Sequence, residues 1–268
     1  MNTLKTGIFL IILSMLSMGC LENHFLYFPY KYPQGRWEEV TKLNFPVDDC
    51  SFTSSDNIKL HGWFAPFPNS QTCILWLHGN AGNVSHRLEH LRLMRQMLKV
   101  NIFIIDYRGY GRSQGKPSET GLYEDALAAY RYLSGRAEIS QEKIYIYGQS
   151  LGAAVAVFLA EKEKAAGLIL EAPFSSLMDA AADIYPWLPV RLFTKERYAS
   201  INRIGALKIP ILIIHGLEDD IIAAEHSRRL YRAAPEPKEL LLIKRAGHND
   251  LYYLGGQKYW DKLKEFIK

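Results

Sequence analysis

Short runs of β-branched and aromatic residues alternate along this chain with longer stretches whose apolar residues recur every three or four positions. The short runs predict buried strands and the long ones helices laid over them. Two strand-like runs between Val40 and Phe64 flank the turn cluster Ser54-Ser55-Asp56-Asn57, so an antiparallel hairpin should open the fold. Thr72 to Leu77 predicts a third strand. It is followed from Val84 to Leu98 by a helix with Leu88, Leu91, Met94 and Leu98 on one face. Val100 to Ile105 predicts the fourth strand, and about Glu119 to Leu133 the next helix. Further strands are expected at Ile144 to Tyr147, Gly167 to Leu170, Ile209 to Ile214 and Glu239 to Ile243, with a terminal helix from about Asn249. This alternation after an opening hairpin means an α/β fold, a mostly parallel sheet with helices on both faces, whose strand C-terminal ends carry the site.

One excursion breaks the rhythm. Between Pro173 and Lys208 stand Tyr185, Pro186, Trp187, Leu188, Pro189, Leu192 and Phe193, inserted where a short cap would overhang the site. An aromatic insertion there favours an apolar substrate pocket built by Phe174, Tyr185, Trp187 and Leu188.

Composition bounds the partners. With 268 residues, 48% of them hydrophobic, the chain can bury one large core. Its formal charge of +4 is spread without a basic block and gives no reason to expect nucleic acid. The first residues differ in kind. Lys5 precedes an apolar run from Gly7 to Met18, too short for a comfortable membrane span, and small residues precede Cys20, a layout that suits a secretory signal. Leu16-Ser17-Met18-Gly19-Cys20 resembles a bacterial lipobox, although Ser17 stands where a branched aliphatic is usual. The expectation is therefore a signal over 1–20, lipidation of Cys20 and an extracytoplasmic body anchored to a bacterial membrane. An uncleaved anchor or plain secretion is the alternative. Residues 21–39 form an aromatic-rich tether that should pack back on the core, the alternative being an interfacial belt at the headgroups of the anchoring membrane, and 40–268 the functional domain. Cys50 and Cys73 fall on strands that are not neighbours in the expected fold and read as buried free thiols.

The candidate chemistry centres on Gly148-Gln149-Ser150-Leu151-Gly152. This G-x-S-x-G stretch joins the strand Ile144 to Tyr147 to the helical run Ala153 to Ala160, as a strained turn presenting Ser150 would require. A serine hydroxyl needs a base within hydrogen-bond reach and a carboxylate to orient that base. Of eight histidines, His248 stands just past the last strand and is the base candidate. His215 reads as a satisfied structural histidine, and His24, His61 and His226 as surface residues. Glu218, Asp219 and Asp220 compete for the acid. Asp219 is preferred because Asp220-Ile221-Ile222 begins the turn into a helix, and Glu171, ending the preceding strand, is the rival. The oxyanion donors expected are the backbone N–H groups of Leu151 and Asn80. His86-Arg87-Leu88-Glu89-His90 also matches an inverted zincin pattern, but no third ligand suggests itself.

Taken together and in order, HGNAGN (78–83), DYRGYGRS (106–113), GQSLG (148–152), EAPF (171–174), HGLED (215–219) and GHND (247–250) resemble the α/β-hydrolase superfamily. The set is most similar to its α/β-hydrolase-domain branch of serine hydrolases active on lipids and acylated proteins, and it covers roughly Phe45 to the C-terminus. The resemblance implies an eight-stranded sheet whose second strand is antiparallel, with the cap between strands 6 and 7. It also implies a triad of Ser150, Asp219 and His248 with Asn80 and Leu151 at the oxyanion hole. Asn57 departs from the glycine common in the branch's first hairpin, and the lipobox leader is also atypical. The expected function is hydrolysis of carboxylic esters or thioesters with an apolar acyl part, needing no cofactor or metal. A serine peptidase or amidase, or a lipid-anchored binding protein without catalysis, is the competing reading.

Overall fold

The computed structural model describes residues 26–184, 187 and 197–267. The opening hairpin pairs β1 (Asp48–Thr53) with β2 (Lys59–Ala65), and Asn57 sits at its turn with φ 63°. β3 (Cys73–Leu77) leads through a 3-10 turn, Val84–Arg87, into α1 (Leu88–Leu98). The single helix expected from Val84 therefore starts in two steps. Asn83 caps the 3-10 turn by accepting from the Ser85 N–H, and the chain becomes α-helical only at Leu88. β4 (Asn101–Asp106) precedes α2 (Glu119–Ser134), capped by Ser118. Next come β5 (Ile144–Gln149), α3 (Leu151–Lys162), β6 (Gly167–Glu171) and α4 (Leu177–Ile184). β7 (Ile211–Gly216), α5 (Ala224–Ala233) and β8 (Lys238–Ile243) follow. The expected terminal helix is broken at Gly255-Gly256 into α6 (Leu251–Leu254) and α7 (Gly256–Phe266).

The eight strands form one sheet in the order β8-β7-β6-β5-β3-β4-β2-β1, parallel except for β2, which runs antiparallel to both β1 and β4. Alternation along each strand divides the core. Leu75, Phe103, Ile146, Leu170 and Ile213 face α2, α3 and α5. Ile74, Trp76, Ile104, Tyr147 and Leu212 face α1 and α7. Between them lies a sheet buried on both faces, and α3, apolar almost all round, is sealed against it. Cys50 on β1 and Cys73 on β3 are free and buried, separated by β4 and β2.

The N-terminal segment joins the core at several points. Tyr27 is buried with its hydroxyl 2.6 Å from that of Tyr198, Phe28–Pro29 pairs in parallel with Ala81–Gly82, and Trp37 packs edge-on against Trp63. The expected surface positions of His61 and His226 are corrected. His61 is buried between two carboxylates, Nδ1 lying 2.7 Å from Asp106 Oδ2 and Nε2 2.5 Å from Asp49 Oδ1. His226 is buried with Nδ1 2.8 Å from Ser175 Oγ and Nε2 3.1 Å from Asp183. Neither has a partner pattern in the sequence: His226 lies among polar helix residues, whereas His61 lies on the apolar strand β2 and finds its carboxylates on the two strands beside it. His24, Cys20 and the whole 1–20 leader lie outside the described residues.

Candidate active site

The turn between β5 and α3 requires its small residues. A Cβ on Gly148 would stand 2.4 Å from the Gly152 carbonyl oxygen, and one on Gly152 would stand 2.0 Å from the Leu77 carbonyl oxygen. Only hydrogen fits at either place, so the helix can start flush against β3. Ser150 at the apex has φ 53° and ψ −116°, a left-handed conformation that costs of the order of 1–3 kcal/mol for a non-glycine residue. The neighbouring strand helps to hold it there, since the Ser150 N–H donates to the Glu171 carbonyl oxygen at 2.9 Å.

The loop after β8 returns His248 to this serine. His248 Nε2 lies 2.9 Å from Ser150 Oγ, and Nδ1 lies 2.7 Å from Asp219 Oδ2. The Asp219 side chain is fully buried, and its other oxygen accepts from the N–H groups of Ile221 and Ile222 at 2.9 and 2.8 Å. Burial pushes the carboxyl upward, but hydrogen bonds from His215 and His248 and from the Ile222 N–H outweigh it. The group is held well below the usual carboxylate range, and so stays ionised. Asp219 thus holds the imidazole with Nδ1–H directed at itself, leaving Nε2 free to accept the Ser150 proton.

His215 is the satisfied buried histidine its position suggested, and it also reaches the Asp219 carboxylate. It is fully buried, with Nε2 2.8 Å from the Ile222 carbonyl oxygen and 3.1 Å from Asp219 Oδ2, and with Nδ1 2.6 Å from Ser227 Oγ. A nitrogen facing a carbonyl must carry the proton, so His215 donates toward the same carboxylate oxygen that holds His248. The available signal was its spacing of four residues before Asp219.

The turn after β3 lies directly before the serine. A Cβ on Gly79 would be 3.5 Å from Ser150 Cβ, which brings the backbone of Asn80 close to the same place as the Leu151 N–H at the start of α3. The Asn80 side chain has a separate task. Its Nδ2 donates to the Leu26 carbonyl oxygen at 2.6 Å, and its Oδ1 accepts from the Phe28 N–H at 3.3 Å and from the Tyr110 hydroxyl at 2.8 Å. Asn80 therefore ties the N-terminal segment and the glycine-rich loop after β4 to the turn that faces Ser150.

Glu171, the rival acid, is fully buried and hydrogen-bonded to two tyrosines and a glutamine. The hydroxyls of Tyr147 and Tyr259 donate to Oε2 at 2.5 and 2.6 Å, and Gln149 Nε2 donates to Oε1 at 3.1 Å. Burial pushes its carboxyl upward. Asp220 is exposed beside the loop. Of the expected pocket residues, Phe174 is 5% exposed and packs into the core, Trp187 is 77% exposed, and Tyr185 and Leu188 lie outside the described residues. The pair from the zincin-like pattern separates by environment. His90 stacks on Tyr252 at 4.1 Å and burial lowers it to about 3, whereas His86 meets Tyr30 edge-on. Among the described residues no group of three or more His, Cys, Asp or Glu could hold a metal ion.

A family model described as alpha/beta hydrolase fold matches residues 72–203. Protein Rv2307c of Mycobacterium tuberculosis is 39% identical over 248 residues, which cover 92% of this chain and 87% of that protein. The alpha/beta hydrolase domain-containing protein WAV2 of Arabidopsis thaliana is 36% identical over 247 residues, covering 85% and 80%. Among solved structures, the Pyrococcus furiosus esterase Pf2001 superposes with a TM-score of 0.75 at 23% identity, covering 90% of this chain and 97% of that one, a likeness in fold.

Proposed function

The chain belongs to the α/β-hydrolase fold family, and from that premise we propose that it is a serine hydrolase of carboxylic esters or thioesters with an apolar acyl part. One observation carries the reading: Ser150 Oγ lies 2.9 Å from His248 Nε2, while His248 Nδ1 lies 2.7 Å from the buried Asp219 carboxylate. In the reaction Ser150 Oγ attacks the carbonyl carbon as His248 Nε2 accepts its proton. The oxyanion that forms accepts from the backbone N–H groups of Asn80 and Leu151, each such donor being worth about 2.7–4 kcal/mol in the transition state. His248 then returns the proton to the leaving alcohol or thiol, and an acyl group remains on Ser150. Water, deprotonated by His248, releases the acid and restores the serine. Asp219 keeps the imidazole in the tautomer that both half-reactions need, and Tyr185, Trp187 and Leu188 would contact the acyl part, with Phe174 packed in the core. We further propose that the leader anchors the protein outside the cytoplasm through a lipidated Cys20.

Fluorophosphonate labelling tests the reading. The full chain in detergent should react covalently at Ser150, and Ser150→Ala should not label although it still melts cooperatively. An unlabelled but folded parent would remove the proposed nucleophile.

A further inference from the structure

Exposed apolar side chains are unevenly distributed over this molecule. The large ones among the described residues are Phe28, Tyr30, Tyr32, Ile184, Trp187, Leu217, Ile221, Tyr253 and Leu254, from 42% to 77% exposed. Single exposed hydrophobic residues are ordinary, whereas several gathered at one place on the surface are informative. Here all of them belong to the edge formed by the C-terminal ends of the parallel strands. Phe28 is in register with Ala81, just past β3, and Tyr32 donates its N–H to Gly111, past β4. Ile184 ends α4, which follows β6, and Trp187 comes just after it; Leu217 and Ile221 follow β7, and Tyr253 and Leu254 follow His248 after β8. This is the edge at which Ser150 stands.

The chain's own start fixes what lies against that edge. Residues 1–25 precede the described part and contain the apolar run Gly7 to Met18 and Cys20. They join the fold at Leu26, whose carbonyl oxygen accepts from Asn80 Nδ2 in the turn facing Ser150. An extended chain reaches at most about 3.3–3.6 Å per residue, so a tether from Cys20 to Leu26 spans no more than about 20 Å. With the leader anchored in lipid as proposed above, the headgroups lie within about 20 Å of the mouth of the site if Cys20 is the anchor, and within about 28 Å if the apolar run ending at Met18 is. Tied at that edge, with the exposed apolar side chains of the described residues gathered there, the protein can shield them against the bilayer.

We infer that the strand-end edge around Ser150 is a membrane-docking face, on which Phe28, Leu217, Ile221, Tyr253 and Leu254 seat the mouth of the site against a lipid bilayer. Substrate then reaches Ser150 from the lipid surface, while the opposite edge, including the turn Gln141–Lys143 before β5, points into water. Tyr253 combines a ring with a hydroxyl and suits the headgroup level, while Leu254 and Ile221 suit the acyl boundary beneath it. The inference rests on the proposed anchoring by the leader but not on the hydrolase reading, because docking is read without turnover.

The test uses the full chain reconstituted into 3:1 phosphatidylethanolamine–phosphatidylglycerol vesicles. Leu254→Cys and Ile221→Cys carry an environment-sensitive nitrobenzoxadiazole label, and Glu142→Cys marks the opposite edge; the parent chain, treated alike, gives the background. Probes at 221 and 254 should sit roughly 5–10 Å into the headgroup–acyl boundary, with emission shifted blue and quenched about twofold by nitroxide-bearing lipid. The probe at 142 should resemble one in water. Emission from 221 and 254 as water-like as that from 142 would overturn the inference. So would a blue shift already present without vesicles and insensitive to nitroxide lipid, which would mean that the chain covers these side chains itself. Fluorophosphonate labelling of the same samples reports separately on Ser150.

Discussion

The contacts of Asp219 rank the side chains around Ser150. Its Oδ2 faces two imidazoles, His248 at 2.7 Å and His215 at 3.1 Å, and its Oδ1 two backbone N–H groups. Removing its charge while keeping its shape, Asp219→Asn, should reduce kcat by about 10⁴-fold, as loss of the orienting carboxylate does in serine hydrolysis generally. His215 acts on the same oxygen one step further from substrate. A hydrogen bond to a charged group contributes about 1.5–3 kcal/mol, so His215→Asn should lower kcat by about 10–150-fold while leaving KM near its parent value. Steady-state kinetics on a short-chain ester decides between this positioning role and a purely structural one, for which kcat per folded molecule would be unchanged. Ser150 and His248 were legible in the sequence because each stands at a strand end in a local pattern with a chemical meaning. The link from His215 to Asp219 was not, because a strand-end histidine before glycine fits a buried structural contact equally well, and only the path of the loop to Ile222 turns Nε2 toward the carboxylate.

Strands and helices were more readily legible than what joins them. The hairpin, the parallel strands and the packing of α3 follow from apolar period and from the glycines that the close approach of Leu77 demands. Polar crosslinks between elements carry no such period, and His61 is the clearest case. From β2 it reaches Asp106 at the end of β4 and Asp49 on β1, and Trp37 of the N-terminal segment packs at 5.8 Å from its ring. Burial disfavours its charge, but the bonds to Asp106 and then Asp49 outweigh burial and raise its pKa above the ordinary histidine value. With both ring nitrogens facing carboxylates, the charged form is the one the fold prefers. A raised folded-state value means that this stabilisation is fully present below the unfolded value of about 6.5 and is lost as pH rises through the folded one. Thermal unfolding of the parent should therefore show a fall in stability from about pH 6 toward alkaline pH that His61→Asn lacks. Parallel pH profiles of parent and variant would leave His61 neutral in the folded protein.

The sheet as a unit decides the fate of the two described thiols. Sequence spacing alone allows Cys50 and Cys73 to pair in an oxidising compartment, and only the strand order forbids it, since β4 and β2 stand between β3 and β1. That order follows from a crossover connection and an antiparallel second strand, long-range features to which neither cysteine's neighbours point. Burial pushes both thiols upward in pKa, Cys73 the more strongly at the centre of the sheet and Cys50 against the opposing pull of Tyr132 and Arg136. Reactive thiolate is therefore suppressed at both sites as well as screened from reagent. Cys73 has no path to solvent that leaves β3 paired to β4 and β5, so its exposure requires the sheet to open. Cys50 lies on the edge strand β1, whose loss exposes it without disturbing β3. Pulsed alkylation in rising denaturant, read by mass spectrometry of the peptides, should then label Cys50 at or before the global transition and Cys73 only with it. Labelling of Cys73 ahead of global unfolding would require β3 to leave the sheet by itself, and would contradict a core in which that strand is held on both sides.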